Sequence, residues 1–213
     1  MKQAIVLLSG GLDSATTLYY ALKKGYLCRA LIFNYGQRHR RELRSAVAVA
    51  RRESVAYRVL RIKLPWRGSS LLDKKKRLPT NRIKYAGIPS TYVPARNIIF
   101  LSFALSYAEA VGAEAIFIGA HSVDYSGYPD CRPEFFRAFE KVIQTGTKKK
   151  EIKILAPLLK MSKVQILKLA KKLKVPIGKT WSCYAGGRVP CGVCDACMIR
   201  QKAERKAARI PVR

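Results

Sequence analysis

Ser9-Gly10-Gly11-Leu12-Asp13-Ser14 stands between a short apolar run and an amphipathic stretch, and its residue types suit the holding of a polyphosphate. Two glycines and two small hydroxyl residues let the backbone approach phosphate closely, while free N–H groups at a helix start favour negative charge. The lysine that a Walker-type loop places on terminal phosphates is absent. With Asp13 available to a magnesium ion, such a loop suits gripping the pyrophosphate that departs when the α-phosphorus of ATP is attacked. Transfer of AMP, not of the γ-phosphoryl group, is expected, with Asp13 and Ser14 as candidate catalytic residues. The same letters also fit a plain glycine-rich turn in which Ser14 caps a helix.

Cys183, Cys191, Cys194 and Cys197 follow a C-x7-C-x2-C-x2-C spacing. Four thiolates on one ion give closed tetrahedral coordination, the structural kind of Zn2+ site, with no position left open for catalysis. An iron–sulfur cluster could use the same ligands, and disulfides are the third option, which a reducing compartment disfavours. Cys28 falls in a strand pattern and reads as a small buried side chain. Cys131 has no assignment of this kind.

A third constellation runs from Asp124 to Arg132, with Tyr125, Tyr128 and Asp130 between them. It follows Gly119 at the end of an expected strand, the edge of an open parallel sheet where ligands bind. Acids that accept ring N–H bonds and tyrosines that stack suit a flat, nitrogen-rich heterocycle. Tight packing alone could also explain such a loop. Lys163, at an expected helix start, and Arg96 are further candidates for phosphate contacts, against the alternative of solvated surface cations.

These residues need elements to position them. Short β-branched runs alternate with amphipathic stretches: strands over 4–8, 28–33 and 57–62, and helices over 15–24 and 41–52. After an irregular, partly mobile loop over 65–94, the pattern resumes with a helix over 97–111 and a strand over 115–119. A helix from Pro133, a strand over 152–156, a helix over 162–173 capped by Ser162 and a basic helix over 195–209 follow. The alternation predicts βαβ units and an α/β fold with a Rossmann-like parallel sheet. Residues 1–175 are read as the nucleotide-binding domain and 176–213 as a cysteine-rich, metal-binding segment packed on it.

The chain has 213 residues, 49% of them hydrophobic, and carries 42 Lys plus Arg against 13 Asp plus Glu, a net charge of +29. One substantial core is expected at this length. No apolar run reaches a membrane span, and the first one is too short for a secretory signal, so a cytoplasmic protein without a membrane partner is expected. Ion-pair networks cannot neutralise such an excess of cations. The charge permits salt-dependent, non-specific association with nucleic acid, or it is simply a solvated basic surface.

Taken in order, Ser9–Ser14, Tyr35-Gly36-Gln37-Arg38-His39, Val93-Pro94-Ala95-Arg96-Asn97, Asp124–Phe135, Trp181-Ser182-Cys183-Tyr184 and Cys191-Gly192-Val193-Cys194-Asp195-Ala196-Cys197 resemble the blocks of the 7-cyano-7-deazaguanine synthases. The resemblance covers nearly the whole chain and implies the adenine-nucleotide-binding fold of the ATP-pyrophosphatases, or PP-loop enzymes. It implies ligation of 7-carboxy-7-deazaguanine with ammonia, driven by ATP and Mg2+, in queuosine and archaeosine precursor biosynthesis. It also implies an ATP-binding stretch of Leu8, Ser9, Gly10, Gly11, Leu12, Asp13, Ser14, Ala15, Thr16, Thr17 and Leu18, with zinc on the four cysteines. Asp124, Asp130, Arg132 and Arg96 would then hold the deazapurine, with Tyr125 or Tyr128 stacked on it and Lys163 on phosphate. His121 departs from the expected pattern: facing the substrate it would add a pH dependence, and otherwise it fills its loop. The small molecules are the expected partners, with a homodimer as one open assembly state. Two rival readings remain: a PP-loop enzyme that adenylates a base within RNA, and a zinc-ribbon nucleic-acid-binding module.

Overall fold

The computed structural model describes residues 1–66, 68–80, 87–121 and 127–208. Strand β1, Gln3–Leu7, is apolar almost throughout, and Ala4, Ile5 and Val6 are fully buried. That is the pattern of a central strand covered on both faces. It is followed by α1, Leu12–Lys23; β2, Leu27–Asn34; α2, Arg41–Arg52; and β3, Ala56–Arg61. Then come α3, Arg96–Val111; β4, Ala115–Phe117; α4, Pro133–Gly146; β5, Lys153–Leu155; α5, Lys163–Lys172; and α6, Asp195–Ala208. Short 3-10 turns at Pro129–Cys131 and Ile177–Lys179 went unanticipated, because one turn leaves no periodicity to read.

The five strands are ordered β3-β2-β1-β4-β5, and every pairing is parallel. The chain winds outward from β1 to β3, then crosses back through α3 to lay β4 on the other side of β1. This reversal makes a switch point between β1 and β4, which run in register from Ala4 opposite Ala115 to Val6 opposite Phe117. The loops leaving these two strands therefore emerge side by side, where α/β sheets bind ligands.

Strand alternation divides the core. Ala4, Val6 and Leu8 pack with Leu12, Leu18, Val49 and Ile166 on the face covered by α1, α2 and α5. Ile5 and Leu7 pack with Leu101, Leu105, Phe139 and Ile143 on the face covered by α3 and α4. Ala207 near the end of α6 joins the first cluster, so the cysteine-rich segment is packed into the main body. None of the described helices is long and apolar enough to cross a membrane.

Two expectations shift. Helix α1 begins at Leu12, so Asp13 and Ser14 sit in its first turn and not in the loop before it. The described part of the long connection after β3 is anchored: Leu71 accepts the Arg38 backbone N–H at 2.8 Å, and Thr80 bridges to Cys194.

Candidate active site

At the switch point lies a cavity of about 290 Å³ lined by the phosphate loop, the turn after β2, the start of α3, the loop after β4, the start of α5 and the cysteine-rich segment. Its floor depends on missing side chains. Gly10 has φ +87°, and a Cβ there would collide with the Glu42 carbonyl and lie 2.6 Å from the Ala46 nitrogen. A Cβ on Gly119 would stand 2.9 Å from the Ser14 nitrogen, so only glycine lets the loop after β4 lie against α1.

Gly11 is the N-cap of α1 and makes no side-chain cap, so no cap side chain takes up the first-turn N–H groups beside the cavity. Ser14 is buried and braces the loop: its hydroxyl receives the Ser9 N–H at 3.1 Å, lies 3.0 Å from the Ser9 hydroxyl and donates to the Gly11 carbonyl at 3.1 Å. Of the expected nucleotide stretch, Leu8, Ser9, Gly11, Asp13 and Ser14 line the cavity. Ala15, Thr16, Thr17 and Leu18 are fully buried in the core and do not reach it; Thr16 spends its hydroxyl on the Leu12 carbonyl.

Asp13 meets Lys163, whose Nζ donates to both carboxylate oxygens at 2.7 and 2.6 Å. Ser162 and Gln165 form a reciprocal capping box that starts α5 at Lys163, which aims the lysine inward. His121 Nε2 lies 3.4 Å from Asp13 Oδ2 and 3.4 Å from Lys163 Nζ. Burial would raise the Asp13 carboxyl, but Lys163 and then His121 outweigh it and hold the group below the usual carboxylate range. His121 is thus part of the polar centre and does more than fill its loop. Asp13 fits a magnesium ion, since a carboxylate bonded twice to Lys163 keeps lone pairs to spare.

The heterocycle loop is only partly at the cavity. Tyr128 lines it, with its hydroxyl 2.7 Å from Thr91 Oγ1. Arg96 lines it beside Tyr35, to whose hydroxyl it donates at 3.4 Å. Asp130 does not line it: its carboxylate accepts the Asn97 backbone N–H at 2.9 Å, and the Asn97 amide returns a bond to the Asp130 carbonyl at 3.0 Å. Asp130 therefore ties the 3-10 turn to the start of α3. Arg132 is exposed at the N-cap of α4, away from the lining. Asp124 and Tyr125 lie outside the described residues.

Sequence reasoning gave no cavity role to Tyr35, Glu42, Phe100, Trp181 and Asp195, all of which line the cavity, although Tyr35, Trp181 and Asp195 stand in its motifs. Trp181 was quoted only for its motif, yet its backbone N–H donates to the Gly10 carbonyl at 2.9 Å and joins the cysteine-rich segment to the phosphate loop.

The sulfur atoms of Cys183, Cys191, Cys194 and Cys197 all lie within 4.8 Å of one another, so the four can hold one metal ion. Backbone N–H groups of Cys191 and Cys194 donate to the sulfurs of Cys183 and Cys191 at 3.3 and 3.4 Å.

A parallel sheet of this order, with a glycine-rich anion cradle at its switch point and an acid–lysine pair beside it, defines an α/β nucleotide-binding protein of the ATP-pyrophosphatase type. Solved structures share the fold: NMN synthetase from Francisella tularensis aligns with TM-score 0.52 at 15% identity, covering 100% of this chain and 88% of that one. The U34-tRNA thiolase NcsA from Methanococcus maripaludis aligns with TM-score 0.51 at 18% identity, covering 100% and 74%. The family described as Queuosine biosynthesis protein QueC matches residues 3–208, and the chain belongs to it. The 7-cyano-7-deazaguanine synthase of Nostoc punctiforme is 50% identical over 210 residues, 94% of each chain. The 7-cyano-7-deazaguanine synthase 2 of Desulfitobacterium hafniense is 52% identical over 212 residues, 97% of this chain and 90% of that one.

Proposed function

We propose that this chain is an ATP-dependent ligase that converts 7-carboxy-7-deazaguanine and ammonia to 7-cyano-7-deazaguanine. The observation that carries the reading is the identity of 50% over 210 residues to a relative of that name. A carboxylate is a poor acylating agent, so its oxygen first attacks the α-phosphorus of ATP and pyrophosphate leaves. Ammonia displaces AMP to give the amide, and a second adenylation, on the amide oxygen, lets AMP depart and leaves the nitrile.

The chain's own groups serve these steps by position and charge. First-turn N–H groups of α1, with Ser9 and Gly11, hold the departing pyrophosphate, and Ser14 keeps their loop in shape. Lys163 and Arg96 offer positive charge to phosphate and carboxylate oxygens, and Tyr128 offers a face to the heterocycle. Asp13 would hold Mg2+, which when bound supplies charge neutralisation along the polyphosphate.

Zinc is the metal proposed for the four cysteines. The Cys191 and Cys197 sulfurs are 4.0 Å apart, close to the edge of about 3.8 Å of a tetrahedron with Zn–S bonds of about 2.3 Å. A cluster of several irons would spread its ligands wider.

The test is incubation of the purified protein with ATP, magnesium, ammonium and 7-carboxy-7-deazaguanine, with the heterocycle followed by mass spectrometry. The nitrile should appear with AMP, and Asp13→Ala and Ser14→Ala should abolish both. No turnover of the free base by folded, metal-loaded protein would sink the reading and favour adenylation of a base within RNA.

A further inference from the structure

Glu42 is the acid that the mechanism above leaves unused. It stands in the first turn of α2 and lines the cavity with Phe33, Tyr35, Arg96 and Phe100. Among the described residues, no hydrogen bond or ion pair within 4 Å reaches its carboxylate. Asp13 is held by Lys163 and His121, and Asp130 by Asn97. Burial pushes the Glu42 carboxyl up to about 7, against the opposing pull of Arg96. Glu42 is partly buried and lines the cavity without a protein donor on its carboxylate, so a ligand in the cavity can bring the donors.

The wall beside it suits a flat ring. Phe33 stacks on Phe100 at 4.0 Å between centroids, and Tyr35 meets Phe100 edge-on at 5.3 Å. On the reading proposed above, the heterocycle carries a ring N–H and an exocyclic amine on one edge, as any guanine-type base does. Two parallel N–H donors match the two oxygens of one carboxylate, a charge-assisted bidentate pair. We infer that Glu42 accepts this edge and selects a 2-amino-4-oxo heterocycle over one that lacks the amine. It is the role the sequence assigned to Asp124 and Asp130. This inference rests on the ligase reading and names the residue that would fix its substrate class.

The test compares the wild type with Glu42→Gln on 7-carboxy-7-deazaguanine and on the analogue without the exocyclic amine, with binding of each free base measured by calorimetry. Wild type should prefer the aminated base on the order of 100-fold or more in kcat/KM, because a site built to accept a hydrogen bond discriminates strongly. Glu42→Gln, which turns an N–H donor toward the base, should lose most of that preference through weaker binding of the aminated base, with KM for ATP unchanged. Glu42→Asp keeps the charge and withdraws it by one methylene. It should retain the preference with weaker binding, and it decides the question if the glutamine variant does not fold. An active Glu42→Gln enzyme that keeps the full preference, or whose loss falls on KM for ATP or ammonium, overturns the inference. A wild-type chain that turns over neither base overturns the ligase reading and the inference with it, an outcome distinct from an active enzyme indifferent to Glu42.

Discussion

Glu42 shows how a ligand-facing residue can weaken the fold that carries it. Its carboxyl titrates near 7 in the folded chain, against about 4.5 for an unburied group. The sign follows from proton linkage: between these values the folded state holds a proton that the unfolded state has released. The group's favourable contribution is therefore complete below about 4.5 and is lost as pH rises through about 7. Glu42→Gln removes the titration, so its melting temperature relative to wild type should be higher at pH 8 than at pH 5, read by calorimetry at both. An equal difference at the two pH values would mean that the carboxyl is not held out of water. Little of this was legible in the sequence, because an acid in the first turn of a helix reads as a partner for the helix dipole. The place of Asp13 at the cavity was legible, since its neighbours Gly10, Gly11 and Ser14 fix the turn. Asp130 misled because a buried carboxylate that accepts a backbone N–H and one that awaits a ligand look alike in a string of letters.

Three short links tie the cysteine-rich segment to the main body, one of them to the phosphate loop and two to the connection after β3. Trp181 donates its backbone N–H to Gly10 at 2.9 Å, Thr80 bridges to Cys194, and the Pro79 carbonyl accepts the Asp195 N–H at 3.3 Å. A metal on the four cysteines would thus brace the start of α6, the loop that carries Thr80 and, through Trp181, the cradle for phosphate. Stripping it with a chelator should raise KM for ATP and open the stretch around Pro79 to limited proteolysis, with both effects reversed by one equivalent of Zn2+. Release of zinc with unchanged kinetics and cleavage pattern would show that the staple and the site are independent. The strands and helices were legible to within a few residues, because burial on both faces of β1 and the one-sided burial of α2 write opposite periods into the chain. The links were not, since each is a backbone bond between segments about 100 or more residues apart and any side chain can make it.

At the scale of the whole molecule, 42 basic residues face 13 acidic ones, and the described ion pairs are few. Asp13 is occupied in the cavity, and at the surface Arg52 meets Glu53 at 3.7 Å and Arg200 meets Glu204 at 2.9 Å. Exposed pairs of this kind contribute roughly 0–1 kcal/mol each, so the charge is no device for stability. Nor is it concentrated on the cavity: Arg40, Arg44, Arg51, Arg52 and Lys179 gather on a separate groove along α2. A positive field spread this way attracts any polyanion and reads no sequence. The chain should therefore bind transfer RNA and an unrelated duplex of similar length with similar affinity in a fluorescence anisotropy titration. Log K should fall linearly with log salt, losing on the order of 10³-fold or more between 50 and 200 mM if six or more phosphates are contacted. Turnover of the free deazapurine should be the same with and without nucleic acid at the higher salt, since the cavity and the basic groove have no lining residue in common. A strong preference for one RNA that survives high salt would instead mean that the basic surface presents a nucleic acid to the cavity, and the substrate would have to be sought within that RNA.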